Sequence, residues 1–152
     1  WDAENRLVAF SQGTHRTEFS YDGLGRRTRI VERENGAVVS DRRYVWCGAE
    51  LCEERDANGG QVLKRFTPYG LQAGAASGMP AGNYFQTLDH LGSVREFTDA
   101  AGQTRAGYDY TAYGRRTRIS GDLHADVGFA GFLVHPASEL NLARHRVYDA
   151  NL

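Results

Sequence analysis

Asp89 and His90 stand side by side, three residues before Ser93. A carboxylate, an imidazole and a hydroxyl are the groups that acid–base and nucleophilic catalysis draw on. Adjacent strand residues project to opposite faces, so a direct Asp89–His90 bond is awkward, and Gly92 marks the stretch as a turn. Ser93 lacks the G-x-S-x-G surroundings of a nucleophile elbow. The five histidines, His15, His90, His124, His135 and His145, include no pair at helical zinc spacing, and there is no Cys-x-x-Cys. His124, Asp126 and His135 would need the fold to bring them together. Asp22, Asp41, Asp56, Asp99, Asp109 and Asp149 stand mostly at turns, and turn chemistry accounts for them. No glycine loop opens a helix to cradle phosphate. The expectation is no catalytic site, no metal and no cofactor.

Cys47 and Cys52 are the only cysteines, and they flank Gly48–Glu50. A hairpin at that turn would bring them together as a disulfide. Otherwise their spacing puts them on opposite faces, and reduced, half-buried thiols are the default expectation.

The elements that carry these residues repeat. The hexapeptide GRRTRI occurs at Gly25–Ile30 and again at Gly114–Ile119. Tyr21-Asp22 precedes the first copy, and Trp1-Asp2 begins a weaker one 20 residues earlier. Looser copies start at Tyr44 and Phe66, and Tyr108-Asp109-Tyr110 leads into Tyr113-Gly114-Arg115-Arg116. A period near 20 suits two short strands and two turns. Asp and Gly supply turn chemistry, Tyr supplies strand propensity, and the segment after Gly25 alternates. Arg27, Arg29 and Val31 are expected on one face, and Thr28, Ile30 and Glu32 on the other.

Strands are predicted over Leu7–Ser11, Thr17–Tyr21, Thr28–Glu34, Val38–Trp46, Glu50–Arg55, Val62–Thr67, Tyr84–Leu88, Val94–Thr98, Thr104–Tyr110 and Arg115–Ile119. Asn35-Gly36 between two of them is a strong hairpin signal. Residues 71–83 read as a Gly/Ala-rich loop between repeat strands at 1–70 and a second segment at 84–152. Ser138–Arg146 reads as one or two helical turns capped by Ser138. The fold class is all-β, an antiparallel meander of hairpins in a single curled sheet.

The 152 residues carry a net charge of −1, which argues against nucleic-acid or anionic-membrane binding through bulk charge. Lys64 is the sole lysine among 18 Lys and Arg, and eight Tyr are interleaved with the Arg. Arg stacks on aromatic rings better than Lys, so a Tyr–Arg ladder and a solvated Arg face are both open readings. No apolar run approaches the ~20 residues needed to span a bilayer. The chain begins inside a repeat unit without Met, as a piece of a longer protein would, so a missing leader says nothing of export.

Asp89–Ser93 with Arg95–Asp99 and Gly102, Tyr108–Tyr110 with Tyr113–Arg116, Phe129–Gly131, and Leu140, Arg144, Arg146, Tyr148 and Asp149 resemble the core region of the RHS/YD-repeat family. Glu139, Thr111, Ala112 and Ala150 depart from its pattern. The resemblance implies a segment of a β-shell that encloses a C-terminal toxin domain, in a secreted or cell-surface bacterial protein. It also implies extended structure leading to a terminal plug over Ser138–Arg146, in place of helical turns. Its partners would be the remainder of the shell and the toxin. The family's self-cleavage segment would lie beyond Leu152, so no cleavage chemistry is carried over. On this reading Asp22, Gly25, Asp89, His90, Gly92, Asp109 and Gly114 form turns. Tyr21, Arg26, Tyr108, Tyr110, Tyr113, Arg115, Arg144, Arg146 and Tyr148 pack the wall. Exposed strand edges suggest a homodimer. The alternatives are a surface module that binds carbohydrate or protein, with Trp1 and Trp46 stacking on sugars, and a fragment with an unrecognised hydrolytic activity.

Overall fold

A computed structural model describes Trp1–Asn151. The hydrogen-bonding order of the larger sheet follows the chain, from its first strand to its eleventh, and a three-stranded sheet comes after it. The chain divides into two compact units, residues 1–65 with 144–146, and residues 66–143 with 147–152.

In the first unit the strands are β1 (Ala9–Gln12), β2 (His15–Tyr21), β3 (Arg27–Glu34), β4 (Ala37–Cys47), β5 (Glu50–Arg55) and the start of β6 (Val62–Thr67). All pairings from β1 to β6 are antiparallel. Asn35 and Gly36 join β3 to β4 with φ of 49° and 82°, so both central residues take the left-handed conformation that a two-residue hairpin turn requires. Leu7, Phe19, Ile30, Val31 and Leu63 are buried here, together with Thr17, Arg27, Glu54 and Lys64.

The expected alternation of β3 breaks at its start. Ser20 pairs with Arg29 but Tyr21 pairs with Arg27, so Thr28 is an extra residue. The bulge turns Arg27 to the face of Phe19 and Tyr21, whose rings lie 5.4 and 5.6 Å from its guanidinium. A second bulge decides the cysteines. Val45 pairs with Glu53 and Trp46 with Leu51, leaving Cys52 as the extra residue. Cys47 and Cys52 are joined in a disulfide with Cα atoms 5.8 Å apart, and the expectation of free thiols is corrected.

The second unit holds β7 (Gly70–Ala73), β8 (Gly82–Leu88), β9 (Val94–Asp99), β10 (Thr104–Tyr110) and β11 (Arg116–Gly121). It also holds a 3₁₀ turn (Phe129–Gly131) and the small sheet β12 (Leu133–His135), β13 (Leu140–Leu142) and β14 (Val147–Tyr148). The small-residue stretch 71–83 is not all loop. Leu71 and Ala73 are buried around exposed Gln72, a period of two that pairs β7 with β8. The predicted helical turns at Ser138–Arg146 are absent. His135 pairs with Leu140 across a turn whose Glu139 has φ 57°, and Leu140–Leu142 extends as β13. The Ser138 hydroxyl bonds His135 Nδ1 at 2.6 Å rather than capping a helix.

The core of this unit is Leu71, Ala73, Tyr84, Val94, Phe97, Ala106, Tyr108 and Ala125. Tyr84 and Phe97 stack with centroids 4.9 Å apart. Complete burial of a side chain such as Phe97 contributes about 2–3 kcal/mol.

At one end of β2 and β3, His15 Nε2 lies 2.7 Å from Glu32 Oε2 and its Nδ1 lies 3.2 Å from Glu34 Oε2. Thr17, fully buried, donates its hydroxyl to the same Glu32 oxygen at 2.7 Å. The hydrogen bond to Glu32 raises the imidazole above its ordinary 6.5, with Glu34 adding to it against partial burial. A raised folded-state value means that His15 stabilises the fold fully below pH 6.5 and loses that contribution as pH rises through the raised value. Glu34, held low by Thr14 and then by His15, loses its contribution as pH falls below its ordinary 4.5. Urea denaturation of the wild type should therefore show a decline in stability as pH rises above 6.5 that His15→Gln abolishes. Parallel curves for the two proteins would contradict the pairing.

Candidate functional site: a turn-and-ring clamp

One turn recurs through the chain. In Asp22–Arg26 the Asp22 Oδ1 accepts the amides of Leu24 and Arg26, both at 2.9 Å. The Gly25 amide returns to the Asp22 carbonyl, and the Asp22 amide donates to the Arg26 carbonyl, again at 2.9 Å. Gly25 sits at φ 74°, the left-handed conformation that closes the loop. Asp2–Arg6, Asp89–Ser93 and Asp99–Gln103 repeat the same bonds, with Asn5, Gly92 and Gly102 at positive φ. Asp56–Gln61 is one residue longer. Burial alone would raise the Asp89 carboxyl, but the Ser93 and Leu91 amides outweigh it and hold the group below 3.8. Asp89 is thus a turn anchor, and His90 lies exposed beside it.

The second hexapeptide uses Thr111 where the first uses Asp22. The Thr111 Oγ1 accepts the Arg115 amide at 3.1 Å, and Gly114 has φ 83°. This corrects one expected turn residue. Asp109 lies in β10 opposite Thr117, and its carboxylate takes the Arg95 guanidinium. The mismatch came from aligning Tyr108-Asp109 with Tyr21-Asp22, when Tyr110-Thr111 is the equivalent pair.

The two arginines after each glycine divide the work. Arg26 returns to its turn, Nε to Asp22 Oδ2 at 2.8 Å, whereas Arg27 is buried against Phe19 and Tyr21. Arg115 is exposed, whereas Arg116 places its guanidinium 4.4 Å from the Tyr108 ring centre and donates to the Ala125 carbonyl at 3.1 Å. The stacking residue is therefore the second arginine, where the sequence reading chose the first. Tyr21 stacks under Arg6 at 5.0 Å and donates its hydroxyl to the Leu7 carbonyl at 2.7 Å.

In the second unit the separate motifs meet at the 3₁₀ turn. Ser93, fully buried, accepts the Ala130 amide on Oγ at 3.1 Å, and the Val94 amide reaches the Gly128 carbonyl at 3.2 Å. The Phe129 ring lies between Tyr110 and Tyr148, 6.1 Å from each. Tyr110 donates its hydroxyl to the Val94 carbonyl at 2.9 Å, and burial pushes it up to about 12. Tyr148 donates to the Tyr113 carbonyl at 2.6 Å, while the Tyr113 ring points to solvent. Tyr108, almost fully buried, accepts the Ala125 amide on its hydroxyl at 2.8 Å. Gly114 lies under this cluster, where an added Cβ would come within 2.5 Å of the Phe129 ring. Sequence reasoning missed Ser93, Phe129 and Arg116 as packing residues, although all three stood in motifs it quoted.

Arg144 and Arg146 follow β13 and make no ion pair with another described residue. His145 Nδ1 approaches the Gly25 carbonyl at 3.3 Å. His124, Asp126 and His135 do not form a ligand cluster, and among the described residues no group of His, Cys, Asp or Glu is arranged to hold a metal. Among the described residues no helix is long and apolar enough to cross a membrane, which does not bear on β-barrels.

What this geometry defines is a repeated anchored turn and, in the second unit, an aromatic clamp. No family model matches the chain. The tRNA3(Ser)-specific nuclease WapA of Bacillus spizizenii is 33% identical over 124 residues, which cover 78% of this chain and 5% of that protein. The Photorhabdus luminescens Tc holotoxin pore superposes with a TM-score of 0.66 at 14% identity, covering 99% of this chain and 8% of that one. The crystal structure of TcdB2-TccC3-TEV matches with a TM-score of 0.65 at 16% identity, again over 99% of this chain and 8% of that one. The chain thus spans only a small part of the proteins it matches. Its fold is that of these Tc toxin structures, which are RHS/YD-repeat shell proteins.

Gly114→Val should destabilise the fold by about 2–4 kcal/mol, because strain at positive φ adds to the collision with Phe129. Arg118→Ala removes the contacts of Nη1 with the Leu123 carbonyl and with His124 Nε2 at an exposed site and should cost within about 1 kcal/mol. Chemical denaturation separates the two, and equal midpoints would refute the clamp.

Proposed function

We propose that the chain is a wall segment of an RHS/YD-repeat toxin that encloses a C-terminal toxin domain and helps deliver it. The observation that carries this reading is the clamp, in which motifs spread from Ser93 to Tyr148 fix one another through backbone-directed hydroxyls and stacked rings. The fold likeness to Tc toxin structures supports it. The turn and ring residues set register and packing, and residues 1–70 and 84–152 act as repeat wall and core segment. Catalysis is assigned elsewhere in the parent protein, which is taken to be secreted or displayed on a bacterial surface. Its partners are the remaining shell and the enclosed toxin. The glycan-binding reading loses one of its two rings, since Trp46 is half-buried with Nε1 bonded to the Arg27 carbonyl at 2.7 Å.

In the full-length polypeptide, Gly114→Val should expose the C-terminal domain to protease where the wild type protects it. Equal digestion of that domain in both proteins would overturn the enclosing role. The isolated chain should associate through the unpaired edge of β1 or through β14, giving a dimer in light scattering at micromolar concentration. A clean monomer near 17 kDa would exclude that.

A further inference from the structure

We infer that the Cys47–Cys52 disulfide is a reducible latch that holds the β4–β5 turn against the turn at Asp22–Arg26. Three bonds tie this corner of the first unit together. The disulfide closes the Gly48–Ala49 turn. The Gly48 carbonyl accepts Arg26 Nη1 at 3.0 Å, and Arg26 is itself anchored to Asp22. Trp46, next to Cys47, donates Nε1 to the Arg27 carbonyl at 2.7 Å. Arg27 is a buried cation of this unit, and its Nε finds no hydrogen-bond partner among the described residues. Its placement therefore depends on the rings of Phe19 and Tyr21 and on a backbone that Trp46 helps to fix.

The latch lies within reach of solvent, since Cys47 is exposed and Cys52 half-buried. A dithiol reductant can therefore attack it. One reductant thiolate attacks a sulfur of the pair and displaces the other cysteine as a thiolate. The second reductant thiol then resolves the mixed disulfide. Two electrons and two protons pass to Cys47 and Cys52, and the reductant leaves as its own disulfide. What remains is a two-residue turn with a bulge at Cys52, held by ladder bonds alone. The Gly48 carbonyl and the Trp46 indole are then free to leave their partners. Bonds of this kind form in oxidising compartments and are lost where thiols are kept reduced. A wall segment carrying one is closed outside the cell and loosened inside it. That setting rests on the proposed function, but the latch does not.

The test uses the whole chain in a Trp1→Phe background, so that Trp46 is the only indole. Mass spectrometry under denaturing conditions first establishes whether the aerobically purified chain holds the bond. Hydrogen exchange and Trp46 quenching by iodide are then followed with and without a dithiol reductant. On reduction, amide exchange should rise about tenfold or more at 45–53 and 22–27, with quenching increased in parallel, while β8–β10 stay protected. Cys47→Ser/Cys52→Ser should show the fast exchange at once and ignore the reductant. Free thiols in the purified chain, unchanged exchange and quenching on reduction, or an equal rise in both units would each overturn the latch. Failure of the shell proposal would leave these readings intact, so the two ideas fall separately.

Discussion

The structure depends on one local constraint, a carboxylate bound into its own turn. In Asp22–Arg26 a single oxygen accepts two amides while the residue three places on adopts positive φ. That fixes where one strand ends and the next begins, and so fixes register for the whole hairpin. Everything else in the repeat is measured from it. The first arginine returns to the anchor, the second falls on the ring face, and the strand alternates from there. Thr111 shows what the constraint needs. A hydroxyl accepts the Arg115 amide, and no carboxylate is required. The positive φ at the fourth position is common to both hexapeptides, at Gly25 and Gly114.

Bulges do the remaining positioning. One extra residue at Thr28 carries Arg27 from the solvent side to the ring side, and one at Cys52 brings two sulfurs into bonding reach. In both cases a period-two reading predicts the wrong face. A guanidinium beside aromatic rings keeps part of its electrostatic stabilisation when water is excluded, which a lysine ammonium at the same place would do less well. This is the physical sense of an arginine-rich, lysine-poor chain. The rings of Phe19, Tyr21 and Tyr108 each take a guanidinium, at distances from 4.4 to 5.6 Å.

The meander was legible because turn chemistry and alternation are local. Glu50–Arg55, Val62–Thr67 and Thr104–Tyr110 are strands at the boundaries predicted, and most others differ by one or two residues. Three features were not legible, each for a nonlocal or geometric reason. β7 is four residues long and lies in a stretch of small residues, so its period of two is barely sampled. The Ser138–Arg146 segment has a helix-like start, but its side chains are satisfied by a strand pairing that sequence cannot display. The clamp joins Ser93, Tyr110, Phe129 and Tyr148 across up to 37 residues in a single hydrogen bond, and only the fold brings them together. The motifs flagged the right neighbourhood while misassigning Asp109 and the roles within each arginine pair.

Two of the polar groups that first suggested chemistry, Asp89 and Ser93, hold backbone, and a third is bonded to a neighbouring hydroxyl. Asp89 is occupied by two amides, Ser93 by the Ala130 amide, and His135 by Ser138. The hydroxyls of Tyr21, Tyr110 and Tyr148 each donate to a carbonyl, at Leu7, Val94 and Tyr113. A tyrosine that donates to a carbonyl and stacks on a neighbour fixes two strands at once, with the ring contributing apolar contact and the hydroxyl contributing direction. Repeated along a meander, that arrangement gives strands of defined register from turns that differ in sequence. It explains how Thr can replace Asp at one turn, and Asn can replace Gly at another, without loss of the pattern.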